Sequence, residues 1–187
     1  MAEKSKTDQY HHKNLGQDIL TLGEEKLEEQ GYENVSLREI ARDLEVTPAA
    51  VYRHFPDKSS LMSNLLIKIS QEFDDQLHAQ VLNSPEASQM LTQMVMNCLT
   101  FSTERTEAFR FLFSSPYELP TDKKLPGQKS LSTIATLLIA QNDLEVTVPV
   151  LTQRIWAVMI GYANLLRQTH ELADVAWVRS LLRVLTS

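Results

Sequence analysis

The apolar positions Leu15, Ile19, Leu22 and Leu27 fall on one face of a helix over residues 12–30, and Gly31 supplies its stop. Ser36-Leu37-Arg38-Glu39 has the form of a capping box, a serine hydroxyl over the N3 amide with a glutamate reaching back. It opens a short helix that buries Leu37, Ile40, Ala41 and Leu44. Thr47-Pro48 gives an N-cap and an N1 proline for a second short helix, to about His54. Pro56-Asp57 breaks and re-caps the chain. A long helix then carries Leu61, Leu65, Ile69, Phe73 and Leu77 from Lys58 to about Leu82.

Pro85 opens the next helix, to about Thr103, and a shorter one covers Glu107 to Phe113. Residues 114–128 hold Pro116, Pro120, Pro126 and Gly127 and are expected to form a loop. Further helices are predicted at about 128–141, 149–170 and 173–186. No segment alternates apolar and polar residues, so no sheet is expected and the fold class is all-α, with about nine helices. The predicted division is a three-helix helix-turn-helix domain over residues 1–57 and a helical ligand-binding and dimerisation bundle over 58–187.

Residues 36–58 carry the most information. Two short capped helices joined by a turn of about three or four residues form a helix-turn-helix, closed by Ile40, Ala41, Leu44, Val46, Val51 and Phe55. Ala41 is small, which lets the two helices cross closely. The second helix presents Pro48, Ala49, Ala50, Tyr52 and Arg53 at the end that enters a major groove.

The ordered string Ser-x-Arg-x-Ile-Ala, Val-Thr-Pro-Ala-Ala-Val-Tyr-Arg-His-Phe and Asp-Lys-x-x-Leu resembles the N-terminal domain of the TetR family of transcriptional regulators, over roughly residues 12–62. The resemblance implies that Thr47, Tyr52 and Lys58 grip the DNA backbone and that Arg38 reaches a base edge. It places Ala49, Ala50 and Tyr52 on the recognition surface, where methyl groups can meet thymine methyls. Arg53 belongs to the same cationic cluster, and His54 matches a family histidine near the end of the recognition helix, with Phe55 beneath it. Glu45 departs from the pattern, which has glycine in the turn. A turn that needs positive φ costs a glutamate on the order of 1 kcal/mol, and its charge opposes DNA.

Charge complicates that reading. The chain carries a formal net charge of −6. Residues 1–58 hold 8 Lys+Arg against 12 Asp+Glu, a net of −4. Position must therefore decide. Glu24, Glu25, Glu28, Glu29 and Glu33 gather at the end of the first helix, while Arg38, Arg42, Arg53, His54 and Lys58 gather in the motif. Local potential governs the approach to phosphates. Arg42 reads equally well as a solvated helix charge.

Other residues invite chemistry less well. Neighbouring His11 and His12 do not face each other on a helix and have no carboxylate or cysteine beside them, so no metal is expected. Cys98 lies on a buried helix face and reads as an inert core thiol. Neither a phosphate loop nor a nucleophile-base signature is present, which argues against an enzyme, and no cofactor is expected. The polar start Met1–Lys6 predicts no signal peptide, and the apolar run Ile155–Leu166 is too short for a bilayer. A cytoplasmic protein without a membrane partner is the expectation.

In the C-terminal part, Met90, Met94, Asn97, Phe101, Phe113 and Trp156 are candidates for lining an effector cavity. The ordinary reading of such a set is core. Yet Met90, Asn97 and Phe101 form a second apolar face offset from Leu91, Val95 and Cys98, with an amide in it. The expected effector is an apolar or amphiphilic small molecule, with Arg110, Arg154 or Arg167 available for one carboxylate. Ala157, Gly161 and Asn164 make a flat stripe that, with Leu181, Leu182 and Leu185, predicts a homodimer interface. Residues 106–113 and 154–162 resemble in part a Trp-His-Gly regulatory subtype of the family, with Ile160 in the histidine's place. With these features, the family resemblance implies a bacterial ligand-responsive repressor whose dimer binds an inverted-repeat operator in double-stranded DNA. The alternative is a helical ligand-binding or protein-interaction domain whose DNA head has lost function.

Overall fold

A computed structural model describes residues 14–120, 126–169, 171 and 174–185, the last five by their backbone alone. The helices are α1 (Leu15–Gln30), α2 (Leu37–Asp43), α3 (Pro48–His54), α4 (Lys58–His78), α5 (Ala87–Glu104), α6 (Thr106–Ser114), α7 (Gln128–Asn142), α8 (Val148–Thr169) and α9 (Val175–Leu185). A 3₁₀ turn covers Val81–Asn83, and no strand occurs among the described residues. The all-α expectation holds.

The chain forms two compact units, residues 1–68 with 110–119 and residues 69–109 with 120–187. The boundary falls within α4 and α6. In the first unit, Ile19 and Leu27 of α1, Ile40 of α2, Val51 of α3 and Leu61 and Leu65 of α4 have no accessible surface. Gly23 lets α1 lie close to α2 and α4: a Cβ there would already touch Leu65, Ile40 and Leu61 at 3.4–3.7 Å.

Several helix ends depart from the sequence pattern for visible reasons. Ser36 is the N-cap of α2, but its side chain makes no capping hydrogen bond. Glu39 does not reach back either, because it accepts from Lys26 Nζ at 3.1 Å and from Gln30 Nε2 at 3.4 Å. The capping box is therefore not formed; a tertiary ion pair outcompetes it. Thr47 does cap α3, its Oγ1 accepting from the Ala50 N–H at 3.3 Å. Asp57 caps α4 in the same way, accepting from the Ser60 N–H at 2.7 Å. The long helix stops at His78 rather than near Leu82. Asn97 takes the carbonyls of Leu77 and Ala79, and Gln80 turns to φ 61°. Asp174 starts α9 two residues late, accepting from the Ala176 N–H at 2.8 Å.

The second unit is built around α5. Leu91, Met94 and Cys98 have no accessible surface, and Met90, Asn97 and Phe101 are also buried. A helix apolar on two faces is what a central bundle helix requires. Burial raises the Cys98 thiol's pKa, as an inert core cysteine should show. No helix among the described residues is long and apolar enough to cross a membrane.

Candidate nucleic-acid interface

The turn between α2 and α3 is fixed from inside. Leu44 N–H donates to the Ile40 carbonyl and Val46 N–H to that of Ala41, at 3.0 and 2.9 Å. Between them Glu45 sits at φ 56°, the left-handed region that favours glycine. Ile40, Ala41 and Val51 are fully buried, and Leu37 and Phe55 nearly so. This small core holds the two helices in register.

What the core does not use faces outward. Arg38, Thr47, Pro48, Ala49, Tyr52, Arg53 and His54 are exposed, and Ala50 is half-buried. Tyr52 is 39% exposed, against none for Val51 beside it, so it is a surface tyrosine and not a core one. Thr47 spends its oxygen as an acceptor on the helix cap and keeps its hydroxyl proton as a donor. Arg53 Nε reaches the Ala49 carbonyl at 3.4 Å, which lays its guanidinium along α3. Gly16 packs against the His54 ring, where a Cβ would stand 3.3 Å from Nδ1. The chemistry on offer is hydroxyl and cationic donors beside methyl groups, the set that meets phosphates and thymine in a major groove.

Lys58 occupies a different setting. It is half-buried, and its Nζ donates to the main-chain carbonyl of Glu33 at 2.6 Å. Arg42, 73% exposed at its side chain, pairs with Asp43 at 3.0 Å and Glu39 at 3.5 Å. That is the solvated helix charge weighed above.

Four acids of the head are paired inside the first unit. Lys26, nearly buried, holds Asp43 at 2.6 Å and Glu39 at 3.1 Å, and Glu24 pairs with Lys68. Glu33 takes both ends of the Arg110 guanidinium, at 2.6 and 2.7 Å, and this holds its carboxyl at about 2. Lys26 likewise lowers Asp43 and Glu39, while the hydrogen bond to Asp43 raises the Lys26 ammonium. Sequence reasoning missed these pairs because the partners lie 13 to 77 residues apart.

The candidate effector residues stand in different settings. Met90, Met94, Asn97 and Phe101 are core: Phe101 packs on Phe73 at 4.9 Å, and Asn97 donates to Ala79 O at 2.8 Å while accepting from Gln93. Phe113 lies in the other compact unit. Trp156 alone of the six borders a groove of about 660 Å³ between α7 and α8, with Leu131, Pro149, Lys129 and Thr152. Along α8, Ala157 and Gly161 are exposed, and nothing lies within 4 Å of a Cβ at Gly161. Asn164 is half-buried, its amide donating to the Ile160 carbonyl at 3.1 Å. Leu165 continues the stripe at 50% exposure. The side chains of Leu181, Leu182 and Leu185 lie outside the described residues.

The family model described as "Bacterial regulatory proteins, tetR family" matches residues 19–65. A Rhodococcus protein of unknown function has a similar structure, with a TM-score of 0.77 at 21% identity over 95% of this chain and 96% of its own. A tetR-family regulatory protein from Rhodococcus is similar at TM-score 0.67 and 18% identity, over 91% and 94% of the two chains. The transcriptional regulator FadR from Bacillus subtilis, solved with stearoyl-CoA, is similar at 0.69 and 15%, over 91% and 97%. No curated protein sequence matches the chain significantly.

Proposed function

We propose that the chain, whose helix-turn-helix head matches the model of the tetR family of bacterial regulatory proteins over residues 19–65, is a ligand-responsive repressor acting as a homodimer on an inverted-repeat operator. The observation that carries the DNA reading is the outward face of α3: Thr47, Pro48, Ala49, Tyr52, Arg53 and His54 stand exposed over a closed core. Arg38 adds a cation from α2. Glu24, Glu33, Glu39 and Asp43 each sit against a cation, Lys68, Arg110 or Lys26, so their fields are compensated locally, and the position of the remaining charges rather than their sum bears on the approach to phosphate. The DNA-binding function is assigned to residues 1–57 together with Lys58 at the start of α4, and effector and dimer functions to the remainder, in the cytoplasm where the operator lies.

The effector reading rests on the α7–α8 groove, whose volume suits a small molecule. Leu131, Pro149 and Trp156 offer an apolar wall, Lys129 a cation, and the Thr152 hydroxyl is buried without a hydrogen-bond partner. An amphiphile with one anionic end fits that mixture. The Bacillus subtilis regulator of similar fold was solved with such a molecule, stearoyl-CoA. Release of DNA requires the effector to favour the DNA-incompetent arrangement, since equal affinity for both arrangements shifts nothing.

The test is selection of duplexes from a random pool by the full chain, followed by mobility shift. The expected result is a palindromic site whose affinity falls steeply with salt and drops at least tenfold in Tyr52→Ala. A folded protein that selects nothing, or a Tyr52→Ala variant with full affinity, overturns the DNA reading. Amphiphiles are then screened for operator release, and hits whose binding ignores Trp156→Ala overturn the groove.

A further inference from the structure

Glu33, in the turn between α1 and α2, is held from two directions within the first unit. Its carboxylate closes a bidentate pair with Arg110 Nη1 and Nη2, at 2.6 and 2.7 Å. Its main-chain carbonyl accepts from Lys58 Nζ at 2.6 Å. The Arg110 guanidinium also lies over the Tyr32 ring, 4.6 Å from its centroid. Tyr32 in turn packs on Phe111 at 5.3 Å, and Phe111 on Tyr117 at 5.8 Å. Arg110 and Phe111 thus hold the turn that carries Tyr32 and Glu33, and Lys58 at the start of α4 bonds to that turn's main chain.

We propose that Arg110 is a positioning residue for the Lys58 phosphate grip, acting through Glu33. This rests on the DNA-binding reading above. The geometry separates the two halves of the device. A planar guanidinium matched to a carboxylate sets the place and orientation of the turn, which a lone ammonium would not do. Lys58 senses only where the Glu33 carbonyl is, because it bonds the main chain and not the carboxylate. One of its three N–H groups is committed there, and the other two remain for a phosphate. Without Arg110 the turn loses its ionic anchor at Glu33, and the Lys58 ammonium samples more rotamers along its four-carbon stem. The first turn of α6, Thr106–Phe109, belongs to the second unit.

The experiment is a double-mutant cycle on the full chain with a duplex selected by the wild type. Arg110→Ala is expected to weaken binding three- to tenfold and to flatten the salt dependence as Lys58→Ala does. In the Lys58→Ala background, Arg110→Ala should change affinity less than twofold. A structural defect alone would weaken binding equally in both backgrounds. Thermal unfolding of all four proteins keeps the fold in view. The charge swap Glu33→Arg with Arg110→Glu should restore binding, because the carbonyl at position 33 is retained. Additive losses, or a swap that rescues melting temperature but not affinity, overturn the proposal while leaving the DNA reading intact. A wild-type protein that selects no duplex overturns both.

Discussion

Lys26 and Asp43 stand 2.6 Å apart, with the lysine ammonium almost withdrawn from water and Glu39 on its other side at 3.1 Å. This joins α1 to both ends of α2, and so fixes the first helix of the DNA-reading motif. Replacing one member of such a set leaves the other charge partly desolvated.

The pH dependence follows from the directions of these shifts. Asp43 and Glu39 are lowered, first by the Lys26 hydrogen bond, and Glu33 is held at about 2 by Arg110. Groups with depressed pKa contribute stability that is present above their ordinary values and lost as pH falls through the folded ones. Lys26 is raised, so its share is complete below its ordinary value and is lost only in strong alkali. Stability should be flat from about pH 6 to 9 and fall below about 4.5. Urea midpoints of wild type and Glu33→Gln should differ at pH 7, and the gap should close as pH approaches 2. A gap independent of pH would show that the pair contributes nothing.

Glu45 adopts φ 56° in the turn that joins α2 to α3. Glycine reaches that conformation without strain, so Glu45→Gly is expected to stabilise the head by about 0.5–1 kcal/mol. The change also removes a negative charge beside the recognition face, and affinity for the operator should rise, most at low salt. Calorimetry and mobility shift check the two effects separately. A loss of stability would mean that the Glu45 side chain makes a contribution larger than its backbone strain.

The fold was legible because its signals are local. Gly31, Thr47-Pro48 and Asp57 mark helix ends with their own hydrogen-bonding capacity, and the structure uses all three. Glu45 was legible for the same reason, as a departure from a turn position that needs positive φ. The failures are all long-range. Ser36-x-x-Glu39 has the capping-box spacing, but Glu39 is taken by Lys26, which local sequence cannot reveal. Asn97 read as a polar group in a cavity wall, since nothing near it in sequence announces the carbonyls it serves eighteen and twenty residues back. Lys58 read as an open phosphate grip, and its tie to Glu33 became visible only in the folded turn.

Asn97 is only 7% accessible, and its amide satisfies the carbonyls of Leu77 and Ala79 at the end of α4. Asn97→Leu leaves both without that donor, at a cost of roughly 1–3 kcal/mol. The melting temperature should drop by several degrees, while the affinity of any groove ligand stays within twofold. Trp156→Ala should show the reverse, a weaker ligand with a smaller loss of stability. An Asn97→Leu protein that melts normally but loses the ligand would return Asn97 to the binding site.

Gly161 lies in the middle of α8 with nothing within 4 Å of where a Cβ would stand. A glycine inside a helix costs roughly 0.5–1 kcal/mol against alanine. In an isolated chain Gly161→Ala should therefore stabilise by about that amount, because the added methyl meets only solvent. A second copy packed on the Ala157–Gly161–Leu165 stripe changes the sign. The methyl would then hold the two helices apart, and the gain in helix propensity would be offset by weaker association. Gly161→Arg sharpens the contrast, since the open side lets the fold accept the side chain while an interface cannot desolvate it unpaired. The expected outcome is a dimeric wild type by light scattering at micromolar concentration. Gly161→Arg should be monomeric with unchanged helical circular dichroism, and operator affinity should fall with the loss of the second reading head. A Gly161→Arg protein that still dimerises would move the interface off this face of α8.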